Sequence, residues 1–345
     1  VRNAVSNFTA FQEAALMVPS RGASVAPGDA RSAASRIRTG IICNPKSHRN
    51  RSSVESTKPF VSGTVLAATP RTQAELAEVL ADFKRLNIEL LVIDGGDGTI
   101  RDVLTCGATI WTDAWPEVAI VPSGKTNALA LDLGIPDDWS LGRALTAARD
   151  GHIIARSPIE VVRAGATPLR GFLFGAGAFV SATALAQRTH RAGAFKGVAV
   201  GLATGWAILQ TLVGRASSEW RRGERMHVRY ADAAGAGEQA DTDAARYILL
   251  ASTLVRMPVG VRPFGRPREG MKTLLVDSPP RRLALAAPLI VGGSSAAWLD
   301  RAGYHHIDTP SFDLTIAAGF ILDGEVYPGG DLTVRQAPAI RFVVP

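Results

Sequence analysis

The chain has 345 residues, 46% of them hydrophobic and 20% charged, which is enough for two domains with buried cores. Lysine and arginine (38) outnumber aspartate and glutamate (31), so the net charge of +7 suits anionic partners such as nucleotide phosphates or lipid headgroups. There is no basic run with interleaved aromatics, which ranks nucleic acid low, and two isolated cysteines, Cys43 and Cys106, exclude a disulfide framework and offer no metal-ligand spacing.

Residues 1–36 are rich in Ala, Ser, Gly and Arg and lack the charged start and apolar core of a signal peptide. They read as a mobile extension. Ile37 to Cys43 is the first strand, followed by a turn at Asn44-Pro45-Lys46-Ser47. Gly63 to Ala68 is the second strand, with Thr69 after it. Thr72 to Asn87 has helical spacing, with Leu76, Val79, Leu80 and Phe83 on one face.

Leu90 to Ile93 is an apolar, partly β-branched run that reads as a buried strand. Gly95, Gly96 and Gly98 follow at once. Ile100 to Cys106 then starts a helix, with Thr99 or Asp97 near its N-terminus. Strand, glycine loop and helix start form a phosphate cradle, because the free N–H groups of the loop and first turn point at the anion. Asp97 inside that loop would repel phosphate unless a cation lay between them, so the residue points to a Mg²⁺–nucleotide site.

Val118 to Val121 is another buried strand, then Pro122-Ser123-Gly124-Lys125-Thr126-Asn127 leads into a helix. Ala119–Thr126 also fits a relaxed P-loop pattern with Ala in the first Gly position. That reading is rejected because it makes loop of the apolar run. Ser140 to Arg149 is a helix with Ser140 as cap. From Ile153 the texture changes to short strands punctuated by turns: Ile159–Arg163, Arg170–Gly175, His227–Ala231, Tyr247–Ser252 and Lys272–Asp277. Phe195 to Gly214 is an apolar helix, read as packed on the second domain rather than crossing a membrane, since four glycines weaken it. Glu219–Arg225 is a charged turn and Ala233–Ala240 a hairpin tip. Phe312–Ile316 and Gly319–Leu322 are strands that flank the last acidic turn, Asp323-Gly324-Glu325, and Leu332–Val344 closes the fold.

Gly95-Gly96-Asp97-Gly98-Thr99 resembles the GGDGT signature of the diacylglycerol kinase catalytic-domain superfamily, which includes bacterial lipid kinases, sphingosine and ceramide kinases and, more distantly, NAD kinases. Three other stretches agree in order: Asn44–Ser47 with an NPxSG-like motif, Pro122–Asn127 with P-x-G-[TS]-x-N, and Asp323-Gly324-Glu325 with a terminal D-G-E turn. The chain departs from the family at His48, Arg101-Asp102 and Lys125. The string Asn127-Ala128-Leu129-Ala130 resembles sphingosine kinases, which tilts the reading toward the sphingosine and ceramide branch.

The resemblance implies an N-terminal α/β nucleotide-binding domain followed by a β-sandwich domain, with the active site in the cleft between them. The expected bounds are residues 1–36 for the extension, 37–157 for the ATP-binding domain and 158–345 for the lipid-substrate domain, with the last strand free to return to the first domain. It implies ATP as co-substrate, bound by Asn44, Ser47, Thr69, Gly95–Thr99 and Ser123–Asn127, and Mg²⁺ held by Asp97 and Glu325. Asp323 would be the general base, with Glu325 and Asp97 beside it. The partners implied are a neutral lipid (ceramide, a sphingoid base or diacylglycerol) and an anionic membrane surface at the cytoplasmic, inner face of the membrane. A non-catalytic lipid-binding protein on the same fold and an NAD kinase-like enzyme are the competing readings.

Overall fold

The structure, a computed structural model, describes residues 37–44, 65–112, 114–180, 223–230 and 241–345. The readings made for the N-terminal extension, Ser47, His48, the apolar stretch Phe195–Gly214 and the tip Ala233–Ala240 lie outside the described residues. Among the described residues no helix is long and apolar enough to cross a membrane.

Two sheets organise the chain. The first has the strand order β2 (Val65–Ala68), β1 (Thr39–Cys43), β3 (Leu90–Gly95), β4 (Glu117–Pro122), β17 (Ile340–Val343) and β5 (Ile153–Arg156). All neighbours are parallel except β5, which runs antiparallel to β17. A parallel strand needs cover on both faces, and Leu90 to Ile93 is accordingly buried throughout. Helix α1 (Gln73–Arg85) turns Leu76, Leu80 and Phe83 into the core, and the Thr72 hydroxyl caps it by accepting from the Glu75 N–H. Helices α2 (Asp97–Ile110), α3 (Ala128–Asp132) and α4 (Leu141–Asp150) follow, with Ser140 capping α4 as its sequence predicts.

The chain leaves this sheet after Arg156 and enters the second at β6 (Ile159–Arg163). The remaining strands are antiparallel: β7 (Leu169–Gly171), β8 (Leu173–Gly177), β9 (Glu224–Tyr230), β10 (Asp241–Ser252), β11 (Lys272–Asp277), β12 (Tyr304–Asp308), β13 (Ser311–Ile316), β14 (Phe320–Leu322), β15 (Glu325–Tyr327) and β16 (Gly330–Gln336). Strand β10 joins the layers, because its first half pairs with β9 and its second half with β8 and β11. Phe174 of β8 meets Phe312 of β13 edge-on at 6.1 Å across a shared core. The architecture is an α/β domain followed by an antiparallel β-sandwich, as expected.

Among the elements the sequence does not predict is helix α5 (Leu283–Val291), followed by the short helix α6 (Ala297–Arg301), between β11 and β12. Its nine residues are all apolar, so no periodicity marks it as a helix. Strand Arg170–Gly175 is also not continuous. It breaks at Phe172, whose N–H bonds a side chain from far along the chain instead of a neighbouring strand.

Candidate active site at the junction of the two sheets

The glycine loop is tighter than its sequence discloses. Helix α2 begins at Asp97 with Gly96 as its N-cap, so Asp97 lies in the first turn rather than in the loop. A Cβ on Gly95 would lie 2.5 Å from the Thr99 Cβ, and one on Gly124 would lie 2.5 Å from the Gly96 Cα. The two loops therefore press backbone against backbone at Gly96 and Gly124, and only glycine permits this at both. The Ser123 N–H donates to the Gly95 carbonyl at 3.1 Å. Asn127, at φ 48°, closes the second loop on itself: its Oδ1 accepts from the Gly124 N–H at 3.0 Å and its Nδ2 donates to the Gly124 carbonyl at 3.2 Å. Val118 to Val121 lies inside β4, so the P-loop reading fails on geometry.

Beside these loops is a cavity of about 250 Å³ lined by Cys43, Asn44, Pro70, Arg71, Thr72, Gln73, Thr99 and Asp102, among others. Asn44 reaches across from the end of β1 and its Nδ2 donates to Thr99 Oγ1 at 2.7 Å. Thr69 precedes the lining segment, and the wall itself is made by the next four residues. Burial, with Asp94 adding to it, pushes the Cys43 thiol up to about 11, so it stays protonated. Lys125 and Thr126 are exposed at the tip of the second loop.

Asp97 is placed by helix α3. Its Oδ1 accepts from the Leu129 N–H at 3.5 Å. Burial raises its pKa, while N–H donors of Leu129, Ala128, Asp97 and Asn127 pull it partly back. Asp97 thus also ties the start of α2 to that of α3.

Asp323 comes from the far end of the chain. It occupies the first corner of the two-residue turn joining β14 and β15, with φ 46° at Asp323 and 82° at Gly324, the positive pair that a tight hairpin requires. Its carboxylate accepts from the Phe172 N–H at 3.0 and 3.1 Å and from the Leu173 N–H at 2.9 Å. Its own N–H donates to the Leu173 carbonyl at 2.9 Å. Gly171 leaves it room, since a Cβ there would sit 2.5 Å from Asp323 Oδ2. Phe172 is anchored in the α/β core, 6.4 Å from Phe342, so the backbone that grips Asp323 is fixed to the first domain. Burial and then the Asp97 charge raise the Asp323 pKa to about 7, against the pull of those N–H groups and Arg101. Asp323 therefore lies within electrostatic reach of Asp97.

Arg101 sits among them and is the residue to which the sequence assigned no role. It is 8% exposed and its guanidinium forks onto Asp102 Oδ1 from Nε at 3.1 Å and Nη2 at 2.8 Å. Burial lowers its pKa, but Asp102, Tyr327 and Glu325 together outweigh that and hold it charged. Glu325 is exposed, and it acts on Arg101 and Tyr327. Asp97 and Asp323 thus come together, with Glu325 one residue beyond the turn.

Asp97 and Asp323 are both raised by burial, and the Asp97 charge raises Asp323 as well, so a divalent cation would relieve them and these residues fit Mg²⁺. Among the described residues no group of three or more His, Cys, Asp or Glu converges on a metal position. Phosphate oxygens would complete such a shell, as Mg²⁺ takes few protein ligands.

A largely parallel α/β sheet with a glycine-rich turn, joined to an antiparallel β domain that lends an acidic turn to the junction, defines a two-domain α/β-plus-β fold. The fold is shared over 89% of this chain and 97% of a diacylglycerol kinase from Bacillus anthracis str. Sterne, with a TM-score of 0.62 at 14% identity. Residues 38–161 match the family model described as the diacylglycerol kinase catalytic domain. The "Probable lipid kinase YegS" of Shigella flexneri and that of Escherichia coli O1:K1 are each 32% identical over 89 residues, or 26% of this chain. The match spans 29% of the length of these curated relatives.

Proposed function

We propose that the protein is an ATP- and Mg²⁺-dependent lipid kinase that phosphorylates the primary hydroxyl of a neutral membrane lipid: ceramide or another sphingoid lipid, or diacylglycerol. The observation that carries this reading is the seating of Asp323 on the Phe172 and Leu173 N–H groups at the domain junction, within electrostatic reach of Asp97 and its glycine cradle. Phosphoryl transfer needs positioned phosphates, neutralised charge and a proton acceptor.

The nucleotide occupies the cavity between Asn44 and Gln73, with its phosphates on the Gly95–Thr99 and Ser123–Asn127 loops. Mg²⁺, when bound at Asp97 and the phosphates, offsets the charge that develops on them. Asp323 takes the proton of the lipid hydroxyl as that oxygen bonds to the γ-phosphorus and the bond to ADP breaks. A carboxyl with a pKa near 7 is suited to this, being a stronger base than an ordinary aspartate while about half ionised at neutral pH. Arg101, held charged by Asp102, faces the same cleft and steadies the anionic groups. A lipid acceptor sets the chain at the inner face of a membrane.

The test is incubation with labelled ATP and a panel of ceramide, sphingosine and diacylglycerol, resolved by thin-layer chromatography. A labelled lipid is expected. Transfer to none of them, alongside phosphorylation of NAD, would replace this reading with the nucleotide-kinase one.

A further inference from the structure

Helix α5 buries one face and leaves the other bare. Leu283, Ala286, Ala287 and Ile290 are buried, three of them against a core that includes Tyr247, Phe264 and Val276. Its outward positions are Ala284, Leu285, Pro288, Leu289 and Val291, with no polar side chain among them. Leu285 is 64% exposed, Leu289 40% and Val291 37%. A surface helix of a soluble domain normally turns charged residues outward, so an apolar outer face requires a covering partner.

The bare face is extended by neighbouring elements. The Arg262 N–H donates to the Val291 carbonyl at 2.8 Å, which fixes the loop before it to the end of α5. That loop contains the turn Pro258–Gly260, whose Val259 is 57% exposed at φ 61°, a conformation that valine rarely adopts. At its other end the Arg256 N–H donates to Asp132 Oδ1 at 2.6 Å, which ties the loop to α3, where Leu131 is 42% exposed. The described residues have seven large exposed hydrophobic side chains, and five of them lie along this connected strip.

Charge says what covers it. Arg256, Arg262, Arg266, Arg281 and Arg282 are exposed along the same strip, and none has an ion-pair partner among the described residues. Apolar side chains bordered by unpaired arginines match the two layers of an anionic bilayer, acyl chains beneath phosphate headgroups. A protein partner would leave five cations to be matched one by one, whereas a lipid surface matches them all.

We propose that helix α5 and the Arg256–Arg266 loop form a membrane-docking face for anionic lipid bilayers. Leu131 lies one helical turn from Asn127, so docking there brings the bilayer next to the phosphate loops. The proposal concerns binding alone and holds or fails independently of the kinase reading.

The test is co-sedimentation of the full chain with phosphatidylcholine vesicles, with and without phosphatidylglycerol, together with light scattering of the free protein. The chain should bind the anionic vesicles and leave the neutral ones. Leu285→Glu/Leu289→Glu should weaken that binding at least about tenfold. Arg281→Gln/Arg282→Gln, which disturbs no packing, should weaken it about thirtyfold at low salt. The circular dichroism spectra and melting temperatures of both variants should match those of the parent. Equal vesicle binding by parent and variants, or equal binding to neutral vesicles, would overturn the proposal. So would a dimer that Leu285→Glu/Leu289→Glu splits, since a second copy would then cover the face.

Discussion

Asp323 should make the protein less stable as it becomes ready to act. Its carboxyl moves from the ordinary 3.8 to about 7 on folding, chiefly because it leaves water and secondarily because Asp97 faces it. The raised value means that the native state holds a proton the unfolded chain has released. Stability therefore falls as pH rises from about 4 to about 7 and is flat above. At about 1.4 kcal/mol for each tenfold change, the ionised carboxylate costs the native state at most about 4 kcal/mol above neutrality. Asp323→Asn removes that cost and keeps one oxygen for the Phe172 and Leu173 N–H groups, at the loss of about 1 kcal/mol of hydrogen bonding. Thermal melts of the two proteins across pH are the assay. The variant should melt several degrees higher at about pH 8, and the gap should close toward about pH 4. A gap that is independent of pH, or a variant less stable at high pH, would refute the burial and coupling described for this carboxyl.

Other consequences follow from the same cleft. Gly124→Ala places a methyl 2.5 Å from the Gly96 Cα, so the loops must part by about 1 Å. That displacement should lower kcat by roughly a hundredfold with the fold intact by circular dichroism, and an unchanged kcat would show that the loops are not the phosphate seat. Lys125→Ala should raise the KM for ATP about tenfold, as loss of one charged contact to phosphate would; an unaltered KM removes Lys125 from the site. Chelation of Mg²⁺ should abolish turnover, because Asp97 and Asp323 would otherwise face the triphosphate as bare charges. Turnover in excess chelator would contradict that arrangement.

Legibility in the sequence tracked how local each cause was. Lys272–Asp277 has the same bounds as a reading and as strand β11, because an apolar run between turn residues needs no distant partner to define it. Strand β10 was recognised only from Tyr247 onward, although it starts at Asp241. Its polar first half becomes strand through pairing with β9. The break at Phe172 was not legible, since the group that captures its N–H lies 151 residues away. Helix α5 carries no alternation to read, and its uniform apolarity was a signal only once its outer face was seen to be exposed. At the site, the acidic residues were found by motif order. Asp97's bond to helix α3 and Arg101's place among four acidic or phenolic groups depend on packing that no short string encodes. The one local clue to Arg101 was its departure from the residue expected after the glycine loop.

The central claim is that Asp97 and Asp323 flank one reacting phosphate, with Asp323 accepting the alcohol's proton. The most direct measurement is the kcat of Asp323→Asn on the lipid it phosphorylates, paired with calorimetric titration of Mg²⁺–ATP into the same protein. The account predicts a kcat at least about a hundredfold lower with the ATP dissociation constant within about twofold of the parent, as befits a lost general base. A kcat within a few-fold of the parent would contradict it and place the proton acceptor elsewhere.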